Sequence, residues 1–231
     1  MKPVIALFMH QPKCSIQSGN GIIKALESNY RFKIFTRHEL DDNFFDDVDI
    51  VAFPGGLGDA DSFDYLFRQN LKSIRQFVEN GGTYLGICMG AYWAGKDYFD
   101  ILDGVEAVQY IRQPNTDTRR PHAKGLDVVW EGKQEKMFFY DGCALVGDES
   151  KFETVATYMN NDPMAIIQER IGLIGCHPES EHNWYQSYSW MKKYWHNNQH
   201  HELLLNFVNR LYKPNLHHLM RSSYPHHPLQ R

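Results

Sequence analysis

Cysteine is scarce in this chain: four of 231 residues, Cys14, Cys88, Cys143 and Cys176, are dispersed with no Cys-x-x-Cys pair. That argues against a disulfide scaffold or structural zinc, and makes a reducing cytoplasm the expected location. No apolar run approaches the roughly 20 residues of a membrane span. The opening, Met1 to Phe8, lacks the h-region and cleavage site of a signal peptide and reads as a first strand. An excess of positive charge is also missing. With a formal net charge of −4, there is no electrostatic case for nucleic acid or an anionic membrane as partner. Neither Gly-x-x-x-x-Gly-Lys-Ser/Thr nor Gly-x-Gly-x-x-Gly occurs, so no phosphate-cradling loop is expected.

What is present is the texture of a soluble globular protein, 42% hydrophobic and 23% charged. Val4 to Phe8, Phe32 to Phe35, Ile50 to Phe53 and Thr83 to Ile87 read as strands. Gly21 to Glu27 falls in a first helix. Leu66, Ile74, Phe77 and Val78 recur at helical spacing in a second, capped by Asp61 or Ser62 and ended by Gly81-Gly82. Buried strands alternating with helices predict an α/β fold, a mostly parallel sheet with helices on both faces. Between about Val105 and Tyr158 the runs Asp127 to Trp130, Lys136 to Tyr140 and Thr154 to Tyr158 suggest a small antiparallel insertion. Ala165 to Gln168 and Gly172 to Cys176 then form a hairpin, and Gln199 to Leu211 an amphipathic helix. Glu39 to Asp49 reads as a solvated acidic segment. One domain over 1–212 and a loose His/Pro-rich tail over 213–231 are expected.

Three stretches carry chemistry. Thr83 to Tyr92 runs a strand into Gly86-Ile87-Cys88-Met89-Gly90, the thiol form of a nucleophile elbow, whose glycines permit a sharp strand-to-helix turn. The N–H groups at a helix start favour a thiolate at Cys88, and the Met89 N–H is a candidate oxyanion donor. The plainer alternative is that Cys88 is a buried core residue. Gly175-Cys176-His177-Pro178-Glu179 follows an apolar strand, placing His177 at a strand end, where ligands gather in open α/β sheets. Glu179, two residues on, can orient that imidazole; Glu181 is a weaker competitor, and Cys176, without an elbow, reads as core. Phe53-Pro54-Gly55-Gly56 lets backbone N–H groups approach a ligand, with Gly56 as second oxyanion donor and Gly55 as pocket wall. Trp184, Tyr185, Tyr188, Trp190, Tyr194 and Trp195 form an aromatic cluster suited to helix packing or a pocket wall, with a partner surface as the less favoured reading.

These motifs in this order resemble the class I glutamine-amidotransferase-like superfamily, of flavodoxin-like architecture. Within it the nearest likeness is to the biotin–protein ligase amino-terminal domain family, carried by Phe53 to Gly56, Gly82 to Tyr92 and Gly175 to Glu179, with Phe138 to Gly142 as a looser match. The resemblance implies Cys88 as nucleophile, His177 as base and Glu179 as orienting acid. Glutaminases of this kind carry Gln where this chain has Tyr92, which leaves Tyr92 as a pocket residue. No Gly-Arg-Gly-rich adenylate loop is seen, so biotin ligation is not expected of these residues. The expected activity is thiol hydrolase or amidotransferase-like chemistry on an amide or acyl group. A non-catalytic metabolite-binding or regulatory domain is the alternative. A small-molecule substrate or metabolite is the expected partner, with a homodimer left open; no cofactor, metal, nucleic acid or membrane is expected.

Overall fold

The first half of the chain alternates strand and helix because its apolar residues come in short unbroken runs separated by amphipathic stretches. The computed structural model describes residues 2–12, 14–41 and 43–213. In order come β1 (Val4–Phe8), α1 (Ile16–Leu26), β2 (Arg31–Phe35), β3 (Ile50–Phe53), α2 (Ala60–Phe67), α3 (Leu71–Glu79), β4 (Thr83–Ile87) and α4 (Met89–Trp93). Then follow β5 (Val105–Gln109), β6 (Lys124–Trp130), β7 (Lys133–Phe139), β8 (Cys143–Gly147), β9 (Glu153–Tyr158), β10 (Pro163–Gln168), β11 (Ile171–Ile174) and α5 (Gln199–Leu211).

Nine strands make one sheet in the order β2-β1-β3-β4-β11-β10-β9-β6-β7. From β2 to β11 every pairing is parallel. From β11 onward every pairing is antiparallel. Successive residues of a strand point to opposite faces, and two cores result. Ile5, Leu7, Ile50, Ala52, Leu85 and Ile87 face α1 and α5. Ala6, Phe8, Val51, Phe53 and Tyr84 face α2, α3 and α4. The expected doubly covered, mostly parallel sheet is therefore the architecture found.

Three local expectations need correction. The antiparallel segment is not a separate insertion throughout: β6, β7 and β9 extend the main sheet, and only β5 and β8 pair apart from it. The second helix is two, α2 and α3, interrupted at residues 68–70. Its cap is Asp59, whose carboxylate accepts from Ser62 N–H at 2.7 Å; Asp61 is inside the first turn instead. The acidic run is only partly solvated, since Leu40, Phe44 and Val48 are buried and Asp49 Oδ2 accepts from Val4 N–H at 2.8 Å. Most of the expected tail, residues 214–231, lies outside the described residues. No helix of the described residues is long and apolar enough to cross a membrane.

A histidine clamp ties α5 to the loop beyond β11. His196 Nε2 and His201 Nε2 each donate to the Ser180 carbonyl, both at 3.1 Å. His200 stacks on His196 with ring centroids 4.1 Å apart and reaches Glu135 Oε2 at 3.2 Å. Burial, reinforced by the two neighbouring histidines, pushes the His196 pKa down to about 3. A histidine held neutral in the fold but free to protonate once unfolded gives stability that is complete above about pH 6.5 and lost as the pH falls toward 3. The unfolding free energy should therefore drop by up to about 2 kcal/mol between pH 7 and pH 5 from this residue. Urea unfolding of the wild type and His196→Gln at both pH values checks this, with a shallower pH slope expected for the variant.

Candidate active site

Two adjacent parallel strands, β4 and β11, end side by side, with Ile87 in register with Ile174. Cys88 follows the first and His177 the second. Cys88 holds φ 51° and ψ −104°, a strained conformation for a residue with a Cβ. The flanking glycines explain how the chain reaches it. A Cβ on Gly90 would collide with the Phe53 carbonyl, and one on Gly86 with the Gly90 carbonyl. Tyr84 Oη closes the turn by donating to the Gly90 carbonyl at 2.7 Å, and Cys88 N–H donates to the Ile174 carbonyl at 2.8 Å.

The helix after the elbow is short. α4 is five residues, Met89–Trp93, so its help to an anion at Cys88 comes from one turn of N–H groups rather than a long dipole. Met89 is buried at its first position. Tyr92, one turn on, donates its hydroxyl to the Asp141 carbonyl at 3.2 Å. This strut holds the β7–β8 turn over the elbow, where the Tyr140 carbonyl lies 3.6 Å from Cys88 Sγ.

His177 is buried, and its Nδ1 lies 2.8 Å from Glu179 Oε1, which is itself fully buried. Burial alone would lower the imidazole's proton affinity; Glu179 and Cys88 outweigh it, by charge and by side-chain hydrogen bonds, and raise the pKa above the ordinary histidine value. Phe138 and Trp184 stand edge-on to the ring, with centroids 5.9 and 5.5 Å away. Gly55 sits directly against it: a Cβ there would lie 2.8 Å from His177 Cε1. Gly56 is exposed and bridges to Cys14. Glu181 is turned away, paired with Lys24 at 3.3 Å, and Cys176 is core.

Sequence reasoning missed Ser18. Its Oγ donates to Glu179 Oε1 at 2.6 Å and accepts from Gly55 N–H at 2.9 Å. The available signal was a polar residue on the stripe Ser18, Ile22, Ala25, at positions i, i+4 and i+7 of α1. The aromatic cluster divides: Trp184 walls the imidazole, whereas Tyr188 and Trp190 are exposed and stack on each other at 5.8 Å. No group of three or more His, Cys, Asp or Glu suited to a metal ion occurs among the described residues.

Residues 12–110 match the family described as "Biotin-protein ligase, N terminal". Among solved structures, a glutamine amidotransferase from Methylobacillus flagellatus superposes with a TM-score of 0.62 at 13% identity, covering 98% of this chain and 100% of that one. A glutamine amidotransferase from Thermotoga maritima gives a TM-score of 0.63 at 12% identity, covering 91% and 98%. The fold is the one these glutamine amidotransferases share, and the likeness to the biotin–protein ligase N-terminal family covers residues 12–110, under half of the chain. No curated protein matches the sequence. Within this fold the glycines of the elbow and of the Pro-Gly-Gly turn do different work. Gly90→Ala drives a Cβ into backbone and should cost about 2–4 kcal/mol of stability by urea denaturation. Gly55→Ala should cost less, about 1–2 kcal/mol, but displace His177 and slow alkylation of Cys88 about tenfold.

Proposed function

We propose that this protein is a thiol-nucleophile hydrolase or amidotransferase-like enzyme acting on an amide or acyl substrate through Cys88, His177 and Glu179. The observations that carry this reading are a strained, positive-φ Cys88 at the end of β4 and, beyond the end of the adjacent β11, an imidazole whose Nδ1 is held by a fully buried carboxylate. An imidazolium at His177 is the charge complement of a thiolate at Cys88, the form that attacks.

In the proposed cycle the Cys88 thiolate adds to the carbonyl carbon, a C–S bond forms, and the carbonyl electron pair moves onto oxygen. The N–H groups of Met89 and Gly56 are the candidate donors to that oxyanion. As the tetrahedral species collapses, the C–N bond breaks and His177 Nε2 gives its proton to the departing amine. The neutral imidazole then takes a proton from water, whose oxygen attacks the thioester. The C–S bond breaks, and the acid and the starting thiolate–imidazolium pair are released. Glu179, hydrogen-bonded to Nδ1, stabilises the imidazolium.

One observation favours a metabolite-binding or regulatory domain instead. The Tyr92 hydroxyl is engaged by the Asp141 carbonyl, at the position where glutaminases of this kind carry Gln. Reactivity separates the two readings. Iodoacetamide at pH 6 to 7 should label Cys88 ahead of the others, because burial raises the thiol of Cys14 to about 12 and pushes Cys143 and Cys176 upward as well. His177→Ala should slow that labelling about tenfold or more, and Glu179→Gln by less. If peptide mapping finds Cys88 no faster than an unactivated thiol and indifferent to His177, the binding-domain reading takes its place.

A further inference from the structure

We propose that Ser18 is a positioning residue that fixes the direction of the protons in the Glu179–His177 pair and locks that pair to the Gly55-Gly56 turn. The proposal rests on the thiol-enzyme reading for its use, but its geometry stands apart from it.

Satisfying every buried donor selects one polarity. Gly55 N–H can only donate, so the Ser18 oxygen accepts from it at 2.9 Å. The buried hydroxyl has a single proton, and among the described residues Glu179 Oε1, at 2.6 Å, is the acceptor that satisfies it; with the opposite polarity that proton would be buried without an acceptor. Glu179 Oε1 is therefore an acceptor and cannot be the protonated oxygen. The same oxygen lies 2.8 Å from His177 Nδ1, so Nδ1 must be the donor there. A ring that donates from Nδ1 keeps Nε2 for exchange with Cys88. Glu179 Oε2 is buried and has no hydrogen-bond partner, which leaves all of the carboxylate's orientation to the two donors on Oε1. Ser18 is completely buried, and its N–H is held by Ser15 Oγ at 3.2 Å, so α1 presents the hydroxyl from a fixed point. Gly55, in turn, touches the His177 ring and precedes the candidate oxyanion donor Gly56. One hydroxyl thus joins the acid, the base and the oxyanion turn.

The test uses an isosteric pair, Ser18→Thr and Ser18→Val, with the wild type. On the wild type, ¹⁵N spectra of His177 should show Nδ1 protonated from pH 5 to pH 8. In S18V the Gly55 amide should exchange with solvent at least tenfold faster, the ¹⁵N pattern of His177 should change, and Cys88 alkylation should slow roughly ten- to a hundredfold. S18T should restore all of these toward the wild type. A wild-type His177 unprotonated at Nδ1 in that range overturns the proposal even if neither variant folds. So does an S18V protein whose Gly55 exchange and His177 spectrum equal the wild type's. A wild-type Cys88 that is unreactive while the Gly55 and His177 readouts respond as described defeats the thiol-enzyme reading and leaves the positioning role of Ser18 standing.

Discussion

Backbone packed on backbone, with no side chain between, is what the centre of this protein depends on. The start of α4 lies so close to β3 that position 90 has no room for a Cβ beside the Phe53 carbonyl, and position 86 has none beside the Gly90 carbonyl. With both neighbours pressed down, the residue between them must turn the chain over the top, and Cys88 takes the positive φ that the turn requires. The strain is held by surrounding order: the Tyr84 hydroxyl on Gly90, the Cys88 N–H on β11, and the aromatic packing of Phe53 with Phe8, Phe67, Trp93 and Phe99 beneath. A loosely packed layer below the elbow could not keep a cysteine in that conformation.

Electrostatics beyond the end of β11 follow a different rule. A fully buried carboxylate is costly unless donors surround it, and Glu179 has His177 and Ser18 on one oxygen. The loop carrying it is fixed from behind by the Ser180 carbonyl, which two histidines from the α5 region hold. The second core layer, Leu204, Phe207, Val208 and Leu211 of α5 against the sheet, secures those histidines. Both cores therefore converge on one pair of strand ends, one supporting the sulfur and the other the imidazole.

Much of this was legible from the chain. Buried parallel strands are continuous apolar runs, and β1, β3 and β4 stand out; α5 ends where its apolar stripe does, at Leu211. Cys88, His177 and Glu179 announce themselves through local motifs because each sits at a turn that restricts the residue types around it. Non-local pairing was not legible. Nothing in Asp127 to Trp130 says that β6 joins β9 and so extends the main sheet, because an antiparallel strand carries the same alternation whichever neighbour it finds. The break between α2 and α3 was hidden for lack of Gly or Pro at Arg68-Gln69-Asn70. Ser18 was hidden because its partners are distant in sequence, and a serine on an apolar face reads as an ordinary small core residue. The role of Tyr92 as a strut depends on where the β7–β8 turn lands, which again is a long-range fact.

The pairing of β4 with β11 has a consequence for how the protein comes into being. These strands lie side by side at the middle of the sheet, yet most of the antiparallel half of the chain separates them in sequence. Contacts of that kind carry a large loop-closure cost and form late. Until that seam closes, the Cys88 amide lacks the β11 carbonyl it donates to, and the loop carrying His177 is not held at the end of β4. The two strand ends that carry Cys88 and His177 are thus brought together by completion of the fold rather than by synthesis of the motif.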